Sequence, residues 1–80
     1  MITSSVRAEV SKLLSLALRR PVDDRENPAR DVDPAWDSLK HLEIVFLLED
    51  HFELRFTDSE LDQLHDAENI VQVLEARRAA

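Results

Sequence analysis

The 80-residue sequence contains no cysteine and no glycine, and these two absences exclude several classes of protein. Without cysteine the chain forms no disulfide, so it is not a disulfide-stapled secreted scaffold, and it offers no thiolate for catalysis or metal binding. Without glycine it lacks the phosphate-cradling loops and strained nucleophile elbows that depend on that residue's backbone freedom. Most classes of small enzyme are thereby excluded, and we expect a protein that is not an enzyme.

Long apolar runs are also missing. No stretch approaches the roughly 20 apolar residues that a membrane-spanning helix needs, and residues 1–5 are polar, without the pattern of a signal peptide. We therefore expect a soluble, cytoplasmic protein that makes no membrane contact. The length predicts a single domain over residues 1–80, and we expect a monomer.

Positive charge is scarce in the middle of the chain. The formal net charge is −7, from 10 Lys and Arg against 17 Asp and Glu, and between residues 31 and 68 only Lys40 and Arg55 oppose the acids. An acidic surface repels nucleic-acid phosphates and anionic lipids, so we expect no nucleic-acid partner. The complementary surface for such a protein is a basic patch on another protein.

Apolar residues recur at three- and four-residue spacing in four segments, which predicts an all-α fold. The predicted helices are residues 4–19, Ser38–Phe52, a short third helix opened by Thr57, and residues 67–77. Glu60 stands three residues after Thr57, as in a capping box, and Asp66 is a suitable cap for the last helix. We expect a four-helix bundle with a short third helix and a long polar loop, residues 21–35, between the first two helices. Loops of this length in small domains are often functional.

The motif Trp36-Asp37-Ser38-Leu39 lies where this loop meets the second helix. Taken alone, Asp-Ser before an apolar run is an ordinary helix N-cap. Here Ser38 falls in the first turn, where unpaired N–H groups and the positive end of the helix dipole favour a phosphate anion. We expect Trp36 to pack onto the helices, because burying its ring offsets the conformational entropy that the loop loses on folding.

Over essentially its whole length, the chain resembles the acyl and peptidyl carrier proteins. Asp37-Ser38-Leu39 looks like the modification motif of that family, and residues 42–45 and 48–52 resemble its second helix and closing aromatic. The resemblance implies that Ser38 carries 4'-phosphopantetheine through a phosphodiester and that the terminal thiol holds acyl cargo as a thioester. It also implies a phosphopantetheinyl transferase that uses coenzyme A and magnesium to install the arm. Leu39 then offers an apolar contact beside the arm, and Asp37 engages a cation on the transferase.

The second helix has two contrasting faces when its residues are placed at 100° intervals. The face expected to point inward contains Ile44, Val45, Leu48 and Phe52. These residues, with Ile70 and Leu74, could line the space in which carriers of this family shelter an acyl chain, or they could simply form the core.

The opposite face alternates apolar and acidic residues. It contains Leu39, Glu43, Phe46 and Asp50. We predict that it docks acyl-activating and acyl-transferring enzymes through their basic patches, because an exposed Phe46 between acids is costly without a purpose. The alternative is a solvated helix face with one stray aromatic residue.

The chain departs from the usual carrier pattern at four positions around the motif. Ala35 stands where many carriers have glycine, Trp36 is larger than the usual residue, and Lys40 and His41 replace an acid and a small polar residue. Cations there disfavour a partner that expects negative charge. We therefore predict a dedicated, specialised pathway related to fatty acid or polyketide biosynthesis, rather than housekeeping fatty-acid synthesis.

Two other interpretations remain open at this point. An aminoacyl or peptidyl carrier has the same arm chemistry, and a helical adaptor without an arm could hold Asp-Ser-Leu by chance. The histidines His41, His51 and His65 lack the spacing of a zinc protease, so we predict surface histidines and neither a metal site nor a catalytic set.

Overall fold

Four helices form the regular structure of the described residues, 5–30 and 32–79, in the computed structural model, which describes side chains as far as Arg77. They are α1 (Val6–Leu18), α2 (Ser38–Phe52), α3 (Asp58–Leu61) and α4 (Ala67–Ala79). No β-strand occurs within this part of the chain, where Ala29 and Asp66 form an isolated antiparallel bridge. The predicted helical class and the order of four helices are confirmed. No helix among the described residues is both long and apolar enough to cross a membrane.

Two helices end at non-glycine residues in the left-handed conformation. Arg19, at φ 56°, follows α1 and donates its N–H to the carbonyl of Ser15. Glu53, at φ 53°, ends α2 in the same way. Such ends satisfy carbonyls that the helix leaves unpaired. Glycine is the usual residue in this left-handed position, and here Arg19 and Glu53 occupy it. α1 therefore ends at Leu18, before Pro21 can interrupt it, and the predicted start at residue 4 lies outside the described residues.

The short helix α3 is held by its cap and by an ion pair, since four residues form too little helix to be stable alone. The predicted capping box is confirmed: Glu60 N–H donates to Thr57 Oγ1 at 3.1 Å, and Thr57 N–H donates to Glu60 Oε1 at 2.9 Å. Arg77 Nε lies 2.8 Å from Glu60 Oε2, and its guanidinium also donates to the Arg55 carbonyl. The Arg77 guanidinium, with the Thr57 N–H, lowers the pKa of Glu60 to about 2.

A single apolar cluster forms the core. Its buried members are Val6, Val10, Leu13, Leu14, Ala17, Leu18, Val22, Trp36, Ile44, Val45, Leu48, Phe56, Leu64, Ala67, Ile70, Val71, Val73 and Leu74. α1 packs against both α2 and α4, and each fully buried Leu or Ile contributes about 1.5–3 kcal/mol. The predicted inward face of α2 is confirmed for Ile44, Val45 and Leu48, whereas Phe52 is only partly buried at the edge of the cluster.

Candidate functional site

The first turn of α2 places Ser38 at the surface. Asp37 precedes it with extended backbone, and its Oδ1 accepts a hydrogen bond from the Lys40 N–H at 2.8 Å. Asp37 is therefore the N-cap of α2, and Ser38 is the first helical residue, with its side chain exposed. Asp37 accepts the N–H groups of Lys40 and His41, and those of Ser38 and Leu39 have no acceptor within the helix, which makes the position attractive to an anion.

Trp36, two residues before Ser38, is almost completely buried, with 1% of its surface exposed. Its Nε1–H donates to His41 Nδ1 at 3.1 Å, and the two rings lie nearly parallel with centroids 6.2 Å apart. The predicted packing of Trp36 is confirmed. Ser38 thus lies between two buried aromatic side chains that bond to each other, so the backbone carrying its hydroxyl is held on both sides.

His41 corrects one expectation. It is 8% exposed and packs behind the first turn of α2, whereas His51 and His65 are exposed as predicted. Burial lowers the pKa of the His41 imidazole below its ordinary value, and the positive charges of Arg30 and His65 lower it further. His41 therefore favours its neutral form and presents no cation to a partner. Of the two cations from which a dedicated pathway was predicted, only Lys40 is left.

The loop before Ser38 is tied to the helices by ion pairs and backbone bonds. Arg20 lies 2.6 Å from Asp33 and 3.2 Å from Glu26, so one guanidinium holds two points of the loop. The Arg20 guanidinium, with the N–H of Ala35, lowers the pKa of Asp33. Val22 is buried and donates its N–H to Ser15 Oγ at 2.9 Å. This polar loop is therefore folded and supports the first turn of α2.

A cavity of about 250 Å³ opens beside Ser38. Its lining residues are Arg30, Trp36, Asp37, Ser38 and His65. Sequence reasoning missed Arg30 and His65, because they lie far apart along the chain and carry no motif. The cavity offers a cation, a second nitrogen donor and the Ser38 hydroxyl at one place.

The exposed face of α2 is more apolar than expected. Leu39 is 79% exposed, Phe46 65% and Leu42 53%. Leu42 was not predicted, although its position on the helix, three residues after Leu39 and four before Phe46, places it on this face. The Glu43 carboxylate is paired, because Lys40 Nζ lies 3.2 Å from its Oε1. We call Leu39, Leu42, Phe46 and the exposed Asp50 the α2 surface.

A second cavity, of about 690 Å³, lies at the C-terminal end of α2. Its lining residues are Phe46, Glu49, Asp50, Glu53, Leu54 and Arg55. Three carboxylates face one guanidinium there, so the cavity is acidic, and its apolar wall continues the α2 surface through Phe46. The residues that the resemblance assigned to an acyl-sheltering space line neither cavity, because all but Phe52 are fully buried in the core.

No family model matches the chain, and no curated protein matches it. Among the described residues, no group of three or more His, Cys, Asp or Glu is arranged to hold a metal ion.

Proposed function

We propose that the protein is an acyl carrier protein with 4'-phosphopantetheine attached to Ser38, and that its four helices form the corresponding bundle. The observation that carries the proposal is the exposed Ser38 in the first turn of α2, on a backbone held by Trp36 and His41. A carrier needs an accessible hydroxyl for modification and a fixed origin for the arm, because partner enzymes must find the cargo at a constant position.

The residues around Ser38 suit such an arm. The hydroxyl is exposed, the first-turn amides favour a phosphate, and a cavity with a guanidinium on its wall lies adjacent. When bound, the arm supplies the thiol that holds an acyl group as a thioester. Attachment forms a bond between Ser38 Oγ and the phosphorus of the phosphopantetheine moiety and breaks the diphosphate bond of coenzyme A. Adenosine 3',5'-bisphosphate leaves, and the hydroxyl proton passes to the transferase.

Asp37 and Leu39 have separate roles in this proposal. Asp37 caps α2 through Oδ1, while its exposed carboxylate also attracts a cation on the transferase. Leu39 projects from the same turn, 79% exposed, and offers an apolar contact to the arm or to a partner. The cap and the recognition role are compatible, because a carboxylate has acceptor sites on both oxygens.

The α2 surface is the proposed docking face for the transferase and for acyl-activating and acyl-transferring enzymes. Leu39, Leu42 and Phe46 form an apolar strip, with Asp50 acidic at one end. A partner with an apolar groove and a basic rim complements it. Glu43 contributes less charge than predicted because Lys40 pairs with it.

We still propose a dedicated pathway, but fewer observations support it. Lys40 is the single cation of the first turn that remains near the surface, and Glu43 partly neutralises it. The departure from a housekeeping carrier therefore rests on Lys40 and on the Trp36–His41 pair rather than on two exposed cations. Whether the cargo is an acyl, aminoacyl or peptidyl group is decided by the mass of the loaded protein from its native host.

Intact mass spectrometry tests the attachment. The chain is incubated with coenzyme A, magnesium and a broadly acting phosphopantetheinyl transferase, and we expect the mass to rise by one phosphopantetheine. Ser38→Ala should abolish the rise, while Ser59→Ala, at another exposed helical serine, should leave it intact. An unmodified wild-type chain beside a modified control carrier would falsify the attachment and favour a helical adaptor.

A further inference from the structure

We propose that the cavity beside Ser38 is a binding site for a phosphodiester group, with Arg30 as its principal cation and His65 as a second nitrogen donor. The inference rests on the proposed function, because it assigns the place where the phosphate of an arm on Ser38 lies. It goes further by giving two residues outside the motif a defined ligand chemistry. The arm would then begin in one direction, toward the junction of α3 and α4, instead of moving freely from the helix end.

The charge around Ser38 is unusual for this chain. The net charge is −7, yet a guanidinium lines the cavity that Ser38 borders. Arg30 is only partly exposed, and its guanidinium donates no hydrogen bond to any side chain that the structure describes. By contrast, the guanidinium groups of Arg7, Arg20 and Arg77 all pair with carboxylates. Among the described residues, no carboxylate pairs with the planar fork of Arg30, and such a fork can bind a phosphate through two parallel hydrogen bonds.

Backbone bonds hold Arg30 and His65 side by side. The Arg30 N–H donates to the His65 carbonyl at 2.8 Å, and the Ala67 N–H donates to the Pro28 carbonyl at 3.0 Å. Asn27 Oδ1 extends this seam by accepting the Glu68 N–H at 2.8 Å. The loop is therefore fastened to the start of α4 over several residues, and the positions of the two cavity residues are set before any ligand arrives. Such preorganisation reduces the ordering cost of binding.

The cavity lining places both residues beside the first turn of α2. The pKa of His41 is lowered mainly by burial, but Arg30 and His65 contribute to the lowering through their positive charge. Asp37 is the acid on the cavity wall, and its Oδ1 is already bonded to the Lys40 N–H. The cavity thus has one carboxylate, engaged at the helix cap, against a guanidinium and an imidazole.

Phosphorus NMR on the modified protein tests the site without any enzymatic assay. The arm is installed on the wild type, Arg30→Gln, Arg30→Lys, His65→Gln and Arg25→Gln, the last being a matched control at an exposed arginine of the same loop. We expect the wild-type ³¹P resonance to differ from that of the same modified protein unfolded in urea, which keeps the phosphodiester but loses the cavity, and to move toward that reference in Arg30→Gln. His65→Gln should cause a smaller shift in the same direction, and Arg25→Gln should cause none.

A second measurement follows the guanidinium itself. Modification of the wild type should shift the ¹H–¹⁵N resonance of Arg30 Nε and leave that of Arg25 in place. Arg30→Lys keeps the charge and loses the fork, so its ³¹P shift should lie between those of the wild type and Arg30→Gln. This variant also serves if Arg30→Gln fails to fold.

Failure of the site and failure of the carrier function have different signatures. If the arm is installed but the ³¹P and Arg30 Nε resonances ignore the substitutions and the modification, the phosphodiester site is wrong and the carrier function stands. If no arm can be installed on Ser38 in the presence of a modified control carrier, both proposals fall.

Discussion

The two ends of α2 differ in how their residues pack, in the size of the adjacent cavity and in the charges on its wall. At the N-terminal end, Ser38 stands on a backbone held by the buried Trp36–His41 pair, beside a cavity with Arg30 on its wall. At the C-terminal end, the cavity is larger, and three of its six lining residues are carboxylates. We call the first the rigid end, for its buried packing; its cavity wall carries one guanidinium and one carboxylate. We call the second the open end, for its larger cavity, which is acidic.

The difference matches the two kinds of contact that we propose for this helix. An attachment point needs a fixed position, which buried packing and a hydrogen bond between aromatic side chains provide. A docking face needs exposed apolar area and long-range charge, which steer a partner without fixing it in advance. Phe46 and Trp36 illustrate the contrast, since the first is 65% exposed and the second 1%.

The largest effect should be the loss of stability in Trp36→Ala, compared with Phe46→Ala at the exposed ring. Trp36→Ala should lower the free energy of unfolding by about 3–5 kcal/mol, because it leaves a cavity in the core and removes the partner of His41. Phe46→Ala should change it by no more than about 0.5 kcal/mol, because the ring is mostly in solvent. Urea titration followed by circular dichroism measures both.

A milder variant guards against complete unfolding. Trp36→Phe keeps most of the apolar contact and removes the N–H donor. Its loss of unfolding free energy should therefore lie between the losses in Trp36→Ala and Phe46→Ala. Equal losses for Trp36→Ala and Phe46→Ala would remove the distinction between a structural and a docking end of α2.

A smaller effect is expected on partner binding at the open end. Asp50→Lys should reduce kcat/KM for modification by the transferase roughly fivefold at low salt, the equivalent of about 1 kcal/mol for an exposed charge contact. The reduction should shrink as salt rises, because exposed charges are screened. Phe46→Ala should weaken the reaction without changing its salt dependence.

Asp24→Lys is the control for this experiment, since it makes the same charge change at an exposed position of the loop. If Asp50→Lys and Asp24→Lys act alike, net charge rather than the α2 surface governs recognition.

The smallest effect concerns the rigid end and its pH dependence. The folded pKa of His41 is below its ordinary value of 6.5, so the unfolded chain binds the proton more readily. The contribution of neutral His41 to the free energy of unfolding is complete above about pH 6.5. It decreases as the pH falls through the window between the pKa of the unfolded chain and that of the folded chain. Wild type should therefore lose stability relative to His41→Asn on acidification through that window.

Paired melting curves of wild type and His41→Asn at several pH values measure this difference, in which the other titrating groups largely cancel. A constant difference between wild type and His41→Asn across the window contradicts a neutral, buried His41.

Much of the fold was predictable because it depends on local signals. The bounds of α2, the capping box of Thr57 and Glu60, and the inward positions of Ile44 and Leu48 follow from spacing and capping, which act within a turn or two of helix. The burial of His41 also had a local signal, since it lies three residues before Ile44 and four before Val45 on the inward face. Histidine is less often fully buried than an aliphatic residue, so its type alone predicts exposure while its position predicts burial.

By itself, the sequence determined the four helices, the motif at the start of α2 and the acidic character of the chain, because periodicity, caps and charge are properties of neighbouring residues. The tertiary structure decided which distant groups meet. The seam between the loop and α4 brings Arg30 and His65 beside Ser38, and core packing turns Trp36 and His41 toward each other. The meeting of Arg30 and His65 beside Ser38 has no local signature, because it exists only when the chain has folded back on itself and long-range hydrogen bonds replace those to water. Trp36 and His41 are only five residues apart, but their hydrogen bond depends on the burial of both side chains.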